Sequence, residues 1–203
     1  MTVGVCSLGP HDVHLWRACS PDLADSAILR RGLLRAILSS YLPLDPAAIE
    51  FRYGRYGKPD LAGSPPQGLR FNLAHSMDLV LCAVTLGRSI GVDVEFLTPM
   101  RDAESLAARF LPRHESVGIA ALPPAERLEA FYTGWTRQEA YLKATGDGLS
   151  RAPLERYPAN GWTIETVFPA PGYLGALACK GSDWRLSWRD WTADRPLAAS
   201  ALR

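Results

Sequence analysis

Cysteine is scarce in this chain and unpatterned. Cys6, Cys19, Cys82 and Cys179 lie far apart with no Cys-x-x-Cys pair, so there is neither a zinc signature nor the disulfide framework of a small secreted domain. Charge of one sign is lacking as well. The 22 basic and 21 acidic residues leave a net +1, which argues against a protein built to coat nucleic acid. No apolar run reaches the ~18 residues of a membrane span. The first residues show no basic segment followed by an apolar core. Low-complexity segments and charge blocks are missing too. A cytoplasmic protein that binds neither nucleic acid nor membrane is expected. What remains is an ordinary globular composition, 47% hydrophobic and 21% charged over 203 residues. That length suits one unit, or two small packed halves, with a real core.

The stretch from Phe71 to Glu95 carries the most information. Asn72 and His75-Ser76 open it, and the apolar run Leu79 to Leu86 predicts a buried strand. A turn at Gly87-Arg88-Ser89 leads to a second strand, Ile90 to Phe96, which reads as the partner in a central hairpin. That strand carries Asp93 and Glu95 two residues apart, so both carboxylates leave one face of the pleat. Two readings stand. The pair is a solvated face of an edge strand, or it is desolvated and compensated by a hard cation such as Mg²⁺, which prefers oxygen ligands.

Elsewhere, Thr2 to Leu8 and Asp12 to Cys19 read as strands. Ser20-Pro21-Asp22 caps a long helix from about Ala24 to Leu42. Arg30, Arg31 and Arg35 lie on or beside its polar face, as a solubilising surface or an anion site. Ile49 to Tyr53 alternates like a strand, and Lys58 is framed by Gly57 and Pro59. Thr98-Pro99 marks the expected seam between halves 1–98 and 99–203. A helix is expected over Ala103 to Phe110, then a polar stretch from Arg113 to Ala125. The segment Arg127 to Lys143 is strongly helical and is ended by Gly146. Phe131, Trp135, Glu139 and Lys143 recur every fourth residue, forming one stripe. Its last two members are a surface ion pair, or a general base and an ammonium entering a site. Past Gly148-Leu149-Ser150, strands are expected at Trp162 to Val167, Gly172 to Cys179 and Trp184 to Trp191. The second of these faintly echoes Leu79 to Leu86.

Three motifs in order, Asn72-x-x-His75-Ser76, Gly91-Val92-Asp93-Val94-Glu95 and Trp135-Thr136-Arg137-Gln138-Glu139-Ala140-Tyr141-Leu142-Lys143, resemble the 4′-phosphopantetheinyl transferase superfamily. Length and motif spacing resemble its surfactin-type branch, and the resemblance covers roughly Leu23 to Leu149. It implies an α+β fold, two similar halves packed as a monomeric pseudodimer, each with a small antiparallel sheet and a long helix. It further implies transfer of the phosphopantetheine arm of coenzyme A to a serine of an acyl or peptidyl carrier protein, releasing adenosine 3′,5′-bisphosphate.

By the same resemblance, Asp93, Glu95 and Glu139 hold Mg²⁺ and Glu139 takes the serine proton. Lys143 and His75 contact phosphate, and Lys58 lies near the nucleotide. Arg31, with Arg30 as substitute, takes the 3′-phosphate. The chain departs from the family at four places. Ala74 stands where Ser is frequent, Met77 where Gly is frequent, Gln138 where Lys is common, and Ser26 where an arginine often begins the long helix. Two rivals are an inactive module that binds coenzyme A or carrier proteins, and a metal-dependent nuclease. The nuclease usually sets Glu and Lys two apart on a strand, not four apart on a helix.

Overall fold

The computed structural model describes residues 6–63, 68–147, 158, 160–192 and 201. The fold mixes helices with small sheets, as expected. Strand β1 (Asp12–Cys19) is followed by helices α1 (Pro21–Asp25) and α2 (Ala27–Ser39). A short hairpin follows, β2 (Phe51–Tyr53) with β3 (Pro59–Leu61). Strands β4 (Leu69–Ser76), β5 (Leu79–Leu86) and β6 (Ile90–Phe96) lead to helices α3 (Ala103–Phe110), α4 (Arg113–Ala121) and α5 (Pro124–Thr145). Strands β7 (Trp162–Val167), β8 (Tyr173–Lys180) and β9 (Arg185–Asp190) complete the described elements.

One sheet has the order β4-β5-β1-β9, with β9 parallel to β1, and another the order β6-β8-β7. The expected hairpin of β5 with β6 is therefore not formed. Strand β5 pairs with β1 and β4, while β6 pairs with β8. Gly87 to Ser89 crosses from one sheet to the other. The actual hairpin is β4–β5, closed by Met77-Asp78, and Met77 lies in the left-handed region at φ +49°.

Alternation along the strands explains the stacking. Val80, Cys82 and Val84 of β5 pack with Leu33, Leu34, Ile37 and Leu38 of α2. Leu79, Leu81 and Ala83, on the opposite face, meet Ile90, Val92, Val94 and Leu177 of the other sheet. Ala176 and Ala178 of β8 then meet Ala140 and Ala144 of α5. The order is helix, sheet, sheet, helix. A strand buried on both faces reads as a continuous apolar run, which is why Leu79 to Leu86 showed no alternation.

Two further expectations change. The long helix from Ala24 to Leu42 is broken at Ser26, whose extended backbone ends α1 and whose hydroxyl accepts from the Leu29 amide to cap α2. The polar stretch after Arg113 is helical. Both α4 and α5 begin after prolines, Pro112 and Pro123, with no side-chain cap, so the usual start signal is absent. Of the strand expected at Thr2 to Leu8, residues 6–8 are not a strand and the rest lies outside the described residues. Residues 148–150 lie outside them too.

Candidate active site

Strand β6 aims Ile90, Val92 and Val94 into the core and leaves Gly91, Asp93 and Glu95 on the face toward α5. Gly91 permits that approach. A Cβ there would stand 2.0 Å from the Ala140 carbonyl oxygen and 2.5 Å from the Ala144 nitrogen. Helix backbone thus rests on strand backbone, and the next residues of both elements are forced together.

Lys143 Nζ lies 2.6 Å from Asp93 Oδ1, and the Asp93 side chain is only 8% exposed. Two buried carboxylate oxygens, Asp93 Oδ2 and Glu139 Oε1, have no hydrogen-bond partner. The energetics agree with that deficit. Burial is the main cause raising the pKa of Asp93, even against the Lys143 charge. Burial and then the Asp93 charge raise Glu95. Burial, then Asp93, push Glu139 up to about 7. Three acids resist ionising together because one ammonium does not compensate them. Among the described residues no three acidic or histidine side chains converge closely enough to hold an ion as they stand. The oxygen-rich donor set and its unpaired oxygens nonetheless suit a hard divalent cation.

Glu95 is held differently from Asp93. Ser76 Oγ donates to its Oε2 at 3.2 Å, and the Trp135 side chain adds a second hydrogen bond that favours the ionised form. Both donors are neutral.

The expected phosphate contacts separate into two kinds. His75 lies on the opposite face of β4 from Asn72 and Ser76, and is exposed. Burial, then the charges of Arg30 and Lys143, lower its pKa. Three basic groups facing one another invite an anion. Arg30 also donates to the Leu23 and Ala24 carbonyls, which fixes its guanidinium. Arg31 is exposed on α2, and among the described residues no such contact fixes it. Of the two arginines, Arg30 is the one beside His75. Lys58 is engaged with backbone, donating to the Lys143 and Ile90 carbonyls, and burial brings its pKa down to about 8.

The departures have local reasons. Ala74 is buried in the core between the sheets. Gln138 donates to the Phe110 carbonyl at 2.8 Å, away from the carboxylates. Ser26 caps α2.

A cleft of about 930 Å³ opens beside Glu139 and Lys143, and Arg52, Tyr53, Arg55 and Tyr56 of the β2–β3 hairpin also line it. Sequence reasoning passed over these four. The repeated Arg-Tyr-Gly, at Arg52-Tyr53-Gly54 and again at Arg55-Tyr56-Gly57, is the signal that could have found them. It also passed over Ser76 and Trp135 as partners of Glu95.

A model of the 4′-phosphopantetheinyl transferase superfamily matches residues 89–195. The 4′-phosphopantetheinyl transferase HetI of Nostoc sp. is 39% identical over 167 residues, 76% of this chain and 70% of its own. Sfp of Bacillus subtilis is 32% identical, covering 66% of this chain and 57% of its own. AcpT of Escherichia coli is 36% identical, covering 55% of each. The last two are thus matched over less than two thirds of their length. With a family match across more than half of its residues, the chain belongs to the 4′-phosphopantetheinyl transferase superfamily.

Proposed function

We propose that the chain transfers the 4′-phosphopantetheine arm of coenzyme A to a serine of an apo acyl or peptidyl carrier protein. The observation that carries this reading is the pair of buried, under-compensated acids, Asp93 and Glu139, with half-buried Glu95 on the same strand face as Asp93, beside a cleft that Glu139, Lys143 and further basic residues line. Asp93, Glu95 and Glu139 would hold Mg²⁺, which when bound supplies charge neutralisation for the pyrophosphate.

The carrier serine oxygen bonds to the β-phosphorus. The bond from that phosphorus to the bridging oxygen breaks, and adenosine 3′,5′-bisphosphate leaves with the electron pair. Such transfer asks the protein mainly for positioning and electrostatics. Glu139 accepts the serine proton as general base. Lys143 holds a phosphate oxygen as a point charge, and Arg30 with His75 receives the 3′-phosphate.

The chain is read as two related halves. The order β4-β5-β1 in one sheet and β7-β8-β6 in the other supports this, each half running strand, helix, hairpin. On that reading the seam falls at Gly87 to Ser89, one strand before Thr98-Pro99. Two halves in one chain supply the cleft without a second copy, so the protein works as a monomer. Its substrates place it in the cytoplasm.

The test is incubation with coenzyme A, Mg²⁺ and a panel of apo carrier proteins, read by mass spectrometry. A gain of one phosphopantetheine on a carrier is expected and would identify its pathway. No gain on any carrier, with coenzyme A still bound, would leave the non-catalytic module as the better reading.

A further inference from the structure

We infer that Ser76 is a positioning residue for the metal site, setting the orientation of Glu95. The inference rests on the assignment of Glu95 as a metal ligand. Ser76 Oγ accepts the Phe96 amide proton at 3.0 Å and lies 3.2 Å from Glu95 Oε2. A hydroxyl has one proton. With the amide filling a lone pair, that proton is directed to the carboxylate. The donor is neutral, so it brings no competing cation to Glu95, unlike the Lys143 ammonium beside Asp93.

Strand β4 repeats this device four residues earlier on the same face. Asn72 Oδ1 accepts the Val92 amide at 2.8 Å. Two side chains of β4 therefore fasten the edge of β6 that β8 does not pair, but only Ser76 also touches a carboxylate. The turn after Ser76 is anchored in its own right. Asp78 accepts from Tyr173 and from Cys19, and Tyr173 packs on Phe96 with ring centroids 5.0 Å apart. Ser76 is thus fixed from both sides, as a residue that aims a ligand needs to be.

The experiment compares wild type, Ser76→Ala, Ser76→Thr and Asn72→Ala by two measurements. One is the Mg²⁺ concentration giving half the maximal transfer rate. The other is the Mg²⁺-dependent rise in Tm of the protein alone, with neither coenzyme A nor carrier. Ser76→Ala is expected to need roughly tenfold or more Mg²⁺ in both, in line with losses of outer-shell partners at metal sites. Its rate at saturating Mg²⁺ should fall far less. Ser76→Thr, which keeps the hydroxyl, should restore the wild-type midpoint. Asn72→Ala should lower Tm without moving that midpoint. An unchanged midpoint in Ser76→Ala overturns the inference, and so does an equal shift in Asn72→Ala, which would mean looseness of β6 and not aim of Glu95. If Ser76→Ala does not fold, Ser76→Thr decides, because a hydroxyl variant with a shifted midpoint also overturns it. A wild type whose transfer and Tm ignore Mg²⁺ refutes the metal assignment itself, a different result from the others.

Discussion

At the scale of single residues, the site is a balance between acids and too few cations. Glu139 has the clearest consequence. Its folded pKa, about 7, lies above the ordinary 4.5, so the folded state binds that proton more tightly than the unfolded chain. Stability from this group is present below about pH 4.5 and is lost as pH rises toward 7. In metal-free protein, Glu139→Gln should therefore raise Tm at pH 8 and change it little at pH 4.5, as thermal denaturation would show. Saturating Mg²⁺ should shrink the difference. The same variant should transfer about 10²–10⁴-fold more slowly, since the base is gone. A second expectation separates the two arginines. Arg30→Ala should weaken coenzyme A binding much more than dephospho-coenzyme A binding, while Arg31→Ala should weaken neither, measured by calorimetry. The carboxylates were legible in the sequence because Asp-x-Glu on a strand fixes a shared face. That Arg30 and not Arg31 stands beside His75 was not legible. It depends on the break at Ser26, whose preceding turn supplies the carbonyls that Arg30 grips. Met77 shows the same limit. Only its φ of +49° reveals why glycine is frequent at that position in the family.

At the scale of elements, the decisive contact is α5 against β6. Gly91→Ala would drive a Cβ into the Ala140 carbonyl. Backbone cannot yield as a side-chain tip does, so the cost should be at least ~3 kcal/mol. Urea unfolding should show it, with transfer lost at temperatures where the variant remains folded. Strand β6 was foreseen at its exact bounds and the body of α5 within a turn at its N-terminal end, because a helical stripe and strand alternation with known breakers are local signals. Their pairing was not. Strand β6 was assigned to its neighbour β5, whereas β8, some eighty residues onward, is its partner. Sheet membership is a long-range property, and β5 is too uniformly apolar to declare which strand it pairs with. Helix α4 was missed for an opposite reason, since prolines stand where a capping side chain would announce a start.

At the scale of the whole molecule, the layers are not separable. The interior face of β5 is covered by β6 and β8, and β9 returns from the far end of the chain to lie beside β1. A fragment of residues 1–98 would expose Val13, Leu15, Leu79 and Leu81 and lose β9. It should fail to give a cooperative unfolding transition by circular dichroism, whereas the full chain should give one. The α+β class was legible from the alternation of strand and helix signals. The stacking order was not, because nothing local tells a strand which of two sheets it joins. The position of β9 has one more consequence. Among the described residues no strand pairs beyond it, and exposed Trp188 with exposed Phe168 makes that border sticky. Arg185, Arg189 and Asp190, all exposed along it, act as a picket against edge-to-edge association. Concentrated salt lowers that picket by screening, so storage and crystallisation conditions rich in salt are those under which the molecules would begin to join into ribbons.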